Sequence, residues 1–204
     1  MVGLIAALTL VTAPAAEAAC GGVEHFWPSK PRLSPPPLVV GDSVVMGAVE
    51  PLQRAGFEID ARGCRQMSEG LGVLSSRRRT DSLPRIVVVA LGNNSTITLG
   101  EVRRALRIVG RSRLLGMVTP SGSLASARGT IHAAARRWPA RVKVLDWAAR
   151  SSGKGWTWDG LHLTSPGARG FARLLSSAYR WSLPGAEAEE PEPEGGPGGG
   201  AVAP

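Results

Sequence analysis

Asp159 and His162 stand three residues apart near the carboxyl end of the chain, and Ser43 lies far upstream, directly after an apolar run. A serine hydroxyl, an imidazole and a carboxylate are the parts of a nucleophilic hydrolytic site. The hydroxyl needs a base within hydrogen-bond reach, and the base needs a carboxylate to fix its tautomer and stabilise the imidazolium. The loop Asp159-Gly160-Leu161-His162 can carry base and carboxylate on one side. Taken alone, Asp-x-x-His is more often a surface turn, and Ser43 after Asp42 is more often the cap of a helix. His25 and His132 compete for the base role, the first in a Pro-rich stretch and the second inside an Ala- and Arg-rich helical segment.

Acyl transfer also needs donors for the oxyanion. Asn93 and Asn94 follow an apolar run and offer side-chain amides, with a plain turn as the alternative. The backbone N–H groups at Ser43 are further candidates, because a helix N-terminus favours negative charge. Trp156 and Trp158 flank the Asp-His loop; their rings can stack on sugar faces or pack to hold the loop.

The surrounding sequence predicts the elements that must position these groups. Short apolar runs predict strands at Leu38–Val40, Phe57–Ala61, Ile86–Leu91, Leu114–Val118 and Val142–Leu145. Between them, helical patterns cover 44–55, 68–77, 99–109 and 125–138, and a last helix runs from Ser165 to Tyr179 with Pro166 in its first turn. Ile86-Val87-Val88-Val89 is the unbroken β-branched run of a strand covered on both faces. Strands alternating with helices predict a three-layer α/β/α domain on a five-stranded parallel sheet. In such sheets ligands bind beyond the carboxyl ends of the strands. Ser43, Gly63-Cys64, Asn93-Asn94 and Thr119 all follow predicted strands, and Asp159 and His162 follow the last one.

With 204 residues, 43% of them hydrophobic, the chain can bury one core and has little room for a second. It divides into a signal peptide at 1–19, a Pro-rich leader at 20–37, the domain at 38–182 and a disordered Pro-, Glu- and Gly-rich tail at 183–204. The apolar start, ending in Ala16-Glu17-Ala18, predicts export. Plain secretion is favoured over lipidation of Cys20, since Glu17 stands where a lipobox wants Leu. No other segment is apolar enough to cross a membrane. Cys20 and Cys64 allow one disulfide in an exported chain, with two free thiols as the alternative. The scattered His and Cys form no metal-ligand spacing, so neither metal nor cofactor is expected.

All 24 Lys and Arg lie between Lys30 and Arg180, against 10 acids from Glu24 to Trp181. The clusters Arg77-Arg78-Arg79, Arg103-Arg104 and Arg136-Arg137 suit an anionic wall polymer, or simply a solvated face. Nucleic acid is disfavoured, as no reading motif is present.

Four blocks in order resemble the SGNH, or GDSL-like, hydrolase superfamily. Gly41-Asp42-Ser43 matches its first block, with Val44 in place of the usual Leu. Gly92-Asn93-Asn94-Ser95 resembles the third block, and Asp159-Gly160-Leu161-His162 the fifth. The second, Ile59 to Gln66, resembles the stretch in secreted peptidoglycan O-acetyltransferase-like members. Asp146-Trp147, Trp156 to Thr164 and Pro166-Gly167-Ala168 are similar to the end of those same domains.

The resemblance implies a catalytic Ser43–His162–Asp159 triad and assigns the oxyanion amide to Asn94, with Ser43 N–H and Gly63 or Cys64 N–H beside it. It implies a secreted esterase acting on a small ester or an O-acylated carbohydrate. An O-acyltransferase to a cell-wall sugar is the first alternative, and a non-catalytic module for anionic polymers the second.

Overall fold

Apolar runs bounded by Gly, Pro and Asn form strands where the pattern predicts them. In the computed structural model, which describes residues 20–122 and 125–181, these are β2 (Leu38–Gly41), β3 (Glu58–Ala61), β4 (Ile86–Ala90), β5 (Leu114–Val118) and β6 (Val142–Leu145). They pair in parallel in the order β3-β2-β4-β5-β6. The signal peptide expected at 1–19 and the tail expected at 183–204 lie outside the described residues.

The strand count differs from the expected five. A sixth strand, β1 (Glu24–Phe26), pairs antiparallel with β3 at the edge, with Glu24 opposite Ala61 and Phe26 opposite Ile59. Three residues with one apolar side chain leave no period to read. A buried charge contact fixes the strand instead. His25 Nε2 lies 2.7 Å from Glu58 Oε1, and Arg77 Nη2 lies 2.6 Å from the same oxygen.

Helices cover both faces. One face carries α3 (Met67–Arg79), α4 (Leu99–Val109) and α5 (Ala125–Arg137). The other carries α1 (Ser43–Met46), α2 (Val49–Ala55), α6 (Trp147–Ser151) and α7 (Ser165–Leu175), which passes into a 3₁₀ turn at Ser176–Arg180. Alternate residues of one strand feed the two cores. Val87 and Val89 pack towards α3 and α4, while Ile86, Val88 and Ala90 pack towards α1 and α7. This is why β4 reads as an unbroken apolar run.

The helix expected over 44–55 is two helices. Pro51 has no N–H to give the carbonyl of Gly47, and its ring crowds that carbonyl, so the chain breaks at Gly47-Ala48 and restarts. Helix α6 falls between the last predicted strand and the last predicted helix, where no helical pattern is read. Asp146 starts it by accepting the Ala149 N–H at 3.1 Å.

Close approach explains two glycines on α7. A Cβ at Gly167 would lie 1.9 Å from the carbonyl oxygen of Trp156, and one at Gly170 would lie 2.7 Å from the Trp156 ring. Gly167→Ala should destabilise the domain by about 1–3 kcal/mol, because the obstacle is backbone that cannot swing away. Thermal unfolding should drop by about 2–4 °C per kcal/mol at this size. Gly72→Ala, on an open helical position, should instead stabilise slightly. Equal melting temperatures for the two variants would refute the packing.

Candidate active site

The sheet order reverses direction at β2. From it the chain moves to β3 on one side, and β4 lies on the other. The crevice between the ends of β2 and β4 is therefore the topological switch point where such sheets bind ligands. Ser43 follows β2 and Asn93-Asn94 follow β4. The turn from β2 into α1 is tight. A Cβ at Gly41 would fall 2.0 Å from a Val45 methyl, so only glycine lets the strand end pass directly into the helix. Asp42 caps α1, accepting the Val44 N–H on Oδ1 at 3.0 Å. Ser43 becomes the first helical residue, where backbone N–H groups have no partner within the helix.

Ser43 Oγ lies 3.1 Å from His162 Nε2. His162 Nδ1 lies 2.6 Å from Asp159 Oδ2. A carboxylate can only accept, so Nδ1 carries the proton, and in the neutral ring Nε2 then accepts from Ser43. The three side chains, from two ends of the chain, stand in one hydrogen-bonded series.

A small hairpin holds the imidazole and carboxylate. Thr157 and Leu163 pair antiparallel, and Trp158 N–H donates to His162 O at 3.0 Å. Gly160, at φ +84°, makes its turn. Asp159 Oδ1 accepts the N–H groups of Leu161 at 2.9 Å and His162 at 2.6 Å. One carboxylate thus shapes the turn with one oxygen and orients the imidazole with the other.

The two tryptophans of this hairpin separate. Trp156 stacks on Trp147 at 5.7 Å and lies over the glycine face of α7, so its ring is packing. Lys154 Nζ sits 4.7 Å above it. Trp158 is 71% exposed and stacks on the His162 ring at 5.3 Å. It is the aromatic face open to a ligand beside the site.

Both asparagine amides turn to Asp42. Asn93 Nδ2 donates to Asp42 Oδ2 at 3.1 Å, and Asn94 Nδ2 donates to the same oxygen at 3.3 Å and to Arg65 O at 3.5 Å. Asn94 is exposed at the rim, whereas Asn93 Oδ1 is buried without a partner among the described residues. Burial pushes the Asp42 carboxyl up from its ordinary range, against the N–H donors that pull it down. The sequence singled out Asp42 only as a neighbour of Ser43. Its link to both asparagines has no local signal.

Gly63 and Cys64 follow β3. Cys64 has φ +55°, a left-handed conformation that costs a non-glycine residue about 1–3 kcal/mol. It is disulfide-bonded to Cys20, 44 residues away. A Cβ at Gly63 would lie 2.4 Å from the Cys20 carbonyl, so the Cys20 segment lies directly against this turn. Arg65, fully buried, donates to Asp60 Oδ1 at 2.7 Å and Asp60 O at 2.6 Å, and holds the turn from inside.

The rival imidazoles are elsewhere. His25 is bound to Glu58 near the amino end of β3, and His132 Nε2 lies 3.5 Å from Asp146 Oδ2. Among the described residues, neither has a serine hydroxyl as a partner.

The chain is similar to known proteins in sequence and in fold. The chain is 28% identical over 146 residues, 69% of its length, to the peptidoglycan O-acetyltransferase OatA of Listeria monocytogenes, and spans 23% of that protein. Its fold is similar to the C-terminal catalytic domain of Streptococcus pneumoniae OatA, solved with a methylsulfonyl adduct. There the TM-score is 0.61 at 21% identity, covering 70% of this chain and 91% of that one. It is also similar to a Clostridium thermocellum family 3 carbohydrate esterase, with a TM-score of 0.54 at 12% identity, covering 70% and 94%. No family model matches the chain.

The hydrogen bond from His162, with the two backbone donors, holds the Asp159 carboxyl down from the ordinary 3.8 to about 2. A carboxyl lowered in the folded state stabilises the fold when ionised. The contribution is therefore complete above about pH 4 and is lost as pH falls through about 2. A carbon NMR titration of Asp159 should give a midpoint near 2, moving up towards 3.8 in His162→Ala. A midpoint at 3.8 in the wild type would refute the contact.

Proposed function

We propose that the chain is an extracytoplasmic serine esterase that removes an O-acyl group, an acetyl, from a carbohydrate. The observation that carries this reading is the series Ser43 Oγ, His162 Nε2, His162 Nδ1, Asp159 Oδ2, with contacts of 3.1 and 2.6 Å at a strand-end rim. Ser43 attacks the acyl carbonyl as His162 Nε2 takes its proton. The tetrahedral intermediate collapses, the sugar oxygen leaves with that proton, and an acyl-serine remains. Water, deprotonated by His162, then attacks the acyl carbon and releases the acid and Ser43. Asp159 holds the imidazole and stays ionised throughout neutral pH.

The N–H groups of Ser43 and of Gly63 or Cys64 receive the oxyanion, with the Asn94 amide turning from Asp42 to join them. Trp158 offers its open ring to a sugar face. The similarity to a carbohydrate esterase supports the substrate class. The basic surface meets an anionic wall polymer apart from the site. The Cys20–Cys64 disulfide suits an oxidising compartment, and a sulfur already bonded to Cys64 cannot also carry a lipid.

The similarity to two O-acetyltransferases favours a second reading with the same residues, in which a sugar hydroxyl replaces water in the second step. Incubating the protein with an activated acetyl ester and a wall oligosaccharide separates the two. Free acetate alone supports the esterase, and acetylated oligosaccharide supports the transferase.

Ser43→Ala and His162→Ala should each lower kcat/KM on p-nitrophenyl acetate by about 10⁴-fold, with melting temperature held. Near-full turnover in either folded variant would overturn both readings.

A further inference from the structure

Pro35 precedes β2, Glu58 opens β3 and Leu83 precedes β4, and together they line a cleft of about 460 Å³. The cleft therefore lies at the amino ends of the strands, at the opposite end of the sheet from Ser43. Its charged wall is fixed. Glu58 is only 3% exposed, and its Oε1 lies 2.7 Å from His25 Nε2 and 2.6 Å from Arg77 Nη2. Those two nitrogens are themselves 2.8 Å apart. Asp81 lines the same cleft just past the end of α3. Its carboxylate is open to water, and its ion pair with Arg113 is loose, at 3.6 Å.

Trp27 completes the lining. One exposed ring on a surface is ordinary. This one is 62% exposed and yet held in place. Gln53 Nε2 donates to the Trp27 carbonyl at 2.8 Å, which ties the backbone here to α2. The His25 imidazole meets the indole at 88°, with 5.4 Å between ring centres. The same imidazole binds Glu58. Ring and charges are therefore set against one another through His25 before any ligand arrives, which lowers the cost of binding one.

We propose that this cleft binds a neutral saccharide, with a sugar face on the Trp27 indole and sugar hydroxyls on Asp81, Arg77 and Glu58. A pyranose has an apolar C–H face that suits an open indole. Its hydroxyls both donate and accept. One ring can therefore use a carboxylate, which only accepts, and a guanidinium, which only donates. Charged ligands fit less well. Two carboxylates line the cleft against an anion, and the Arg77 guanidinium stands in it against a cation. A purely apolar ligand would take water from these groups and return no hydrogen bond. The site is independent of the esterase reading, since it shares no residue with the rim. A glycan held there leaves Ser43 open.

The test is a titration of the full chain with uncharged hexamers of glucose, xylose and N-acetylglucosamine. The readout is the indole N–H resonance of Trp27, assigned by its loss in Trp27→Phe. At least one of the three sugars should move that resonance to saturation. The affinity should change by less than about twofold between low and high salt, because no counterions are released. The shift should persist in Trp158→Ala, which removes the open ring at the rim. In that background, calorimetry should show affinity falling about tenfold or more with Trp27→Ala and about threefold or more with Asp81→Asn. Introduced into the wild type, neither substitution should change the melting temperature or the turnover of p-nitrophenyl acetate, which tests the esterase separately. A Trp27 resonance unmoved by all three sugars would overturn the site. So would unchanged affinity in Trp27→Ala, or tighter binding of a galacturonate hexamer than of any neutral one.

Discussion

A carboxylate with almost no access to water organises the rim. Asp42 is completely buried, a position that costs several kcal/mol unless donors surround the charge. Three do. The Val44 N–H takes one oxygen, and the amides of Asn93 and Asn94 share the other. The first bond starts α1 and so sets the direction in which Ser43 leaves the sheet. The other two tie the end of β4 to the end of β2, across the crevice where a substrate would lie. Asn94 also reaches Arg65 O, which brings in the turn after β3. Three strand ends are thereby locked around one charge. The serine and its surrounding donors form a rigid half-site before any imidazole is considered.

The other half-site is built differently. Asp159 and His162 sit on a two-stranded hairpin outside the sheet, and such a hairpin is marginal by itself. Its stability comes from beneath. Trp156 lies between Trp147 and the glycine face of α7, and Trp147 meets Phe171 edge-on at 5.1 Å. Trp147 in turn stands at the head of a helix capped by Asp146, whose carboxylate also takes the Thr119 hydroxyl at 2.8 Å. The imidazole is therefore located by a chain of packing that runs back to the ends of β5 and β6. This explains the crowding of Trp, Gly and Asp late in the sequence. Each serves the position of one ring.

Much of this was legible in the residues. Short apolar runs located five strands, most plainly β4, which is buried on both faces and apolar throughout. The order of Ser43, Asn94, Asp159 and His162 on strand ends brought them to one rim, because a parallel sheet leaves its loops nowhere else to meet. What escaped was held by contacts without a period. β1 rests on a His25–Glu58–Arg77 cluster joining residues 33 and 19 positions apart. The pairing of Cys20 with Cys64, and of Asp42 with two asparagines, depends on which strands are neighbours. The two tryptophans looked equivalent along the chain. The hairpin's alternation turned one into the core and left the other on the imidazole.

The leader illustrates how far the site extends beyond its own residues. Cys20 and β1 precede the first parallel strand, and both bear on β3. The disulfide holds the turn at Gly63-Cys64, where the backbone at Cys64 is left-handed. β1 covers the edge of β3, which would otherwise expose unpaired N–H and C=O groups. Strain at Cys64 persists only while its surroundings enforce it, and those surroundings are the Cys20 segment on one side and buried Arg65 on the other. The geometry of the turn after β3 is thus set partly by residues outside the alternating strands and helices.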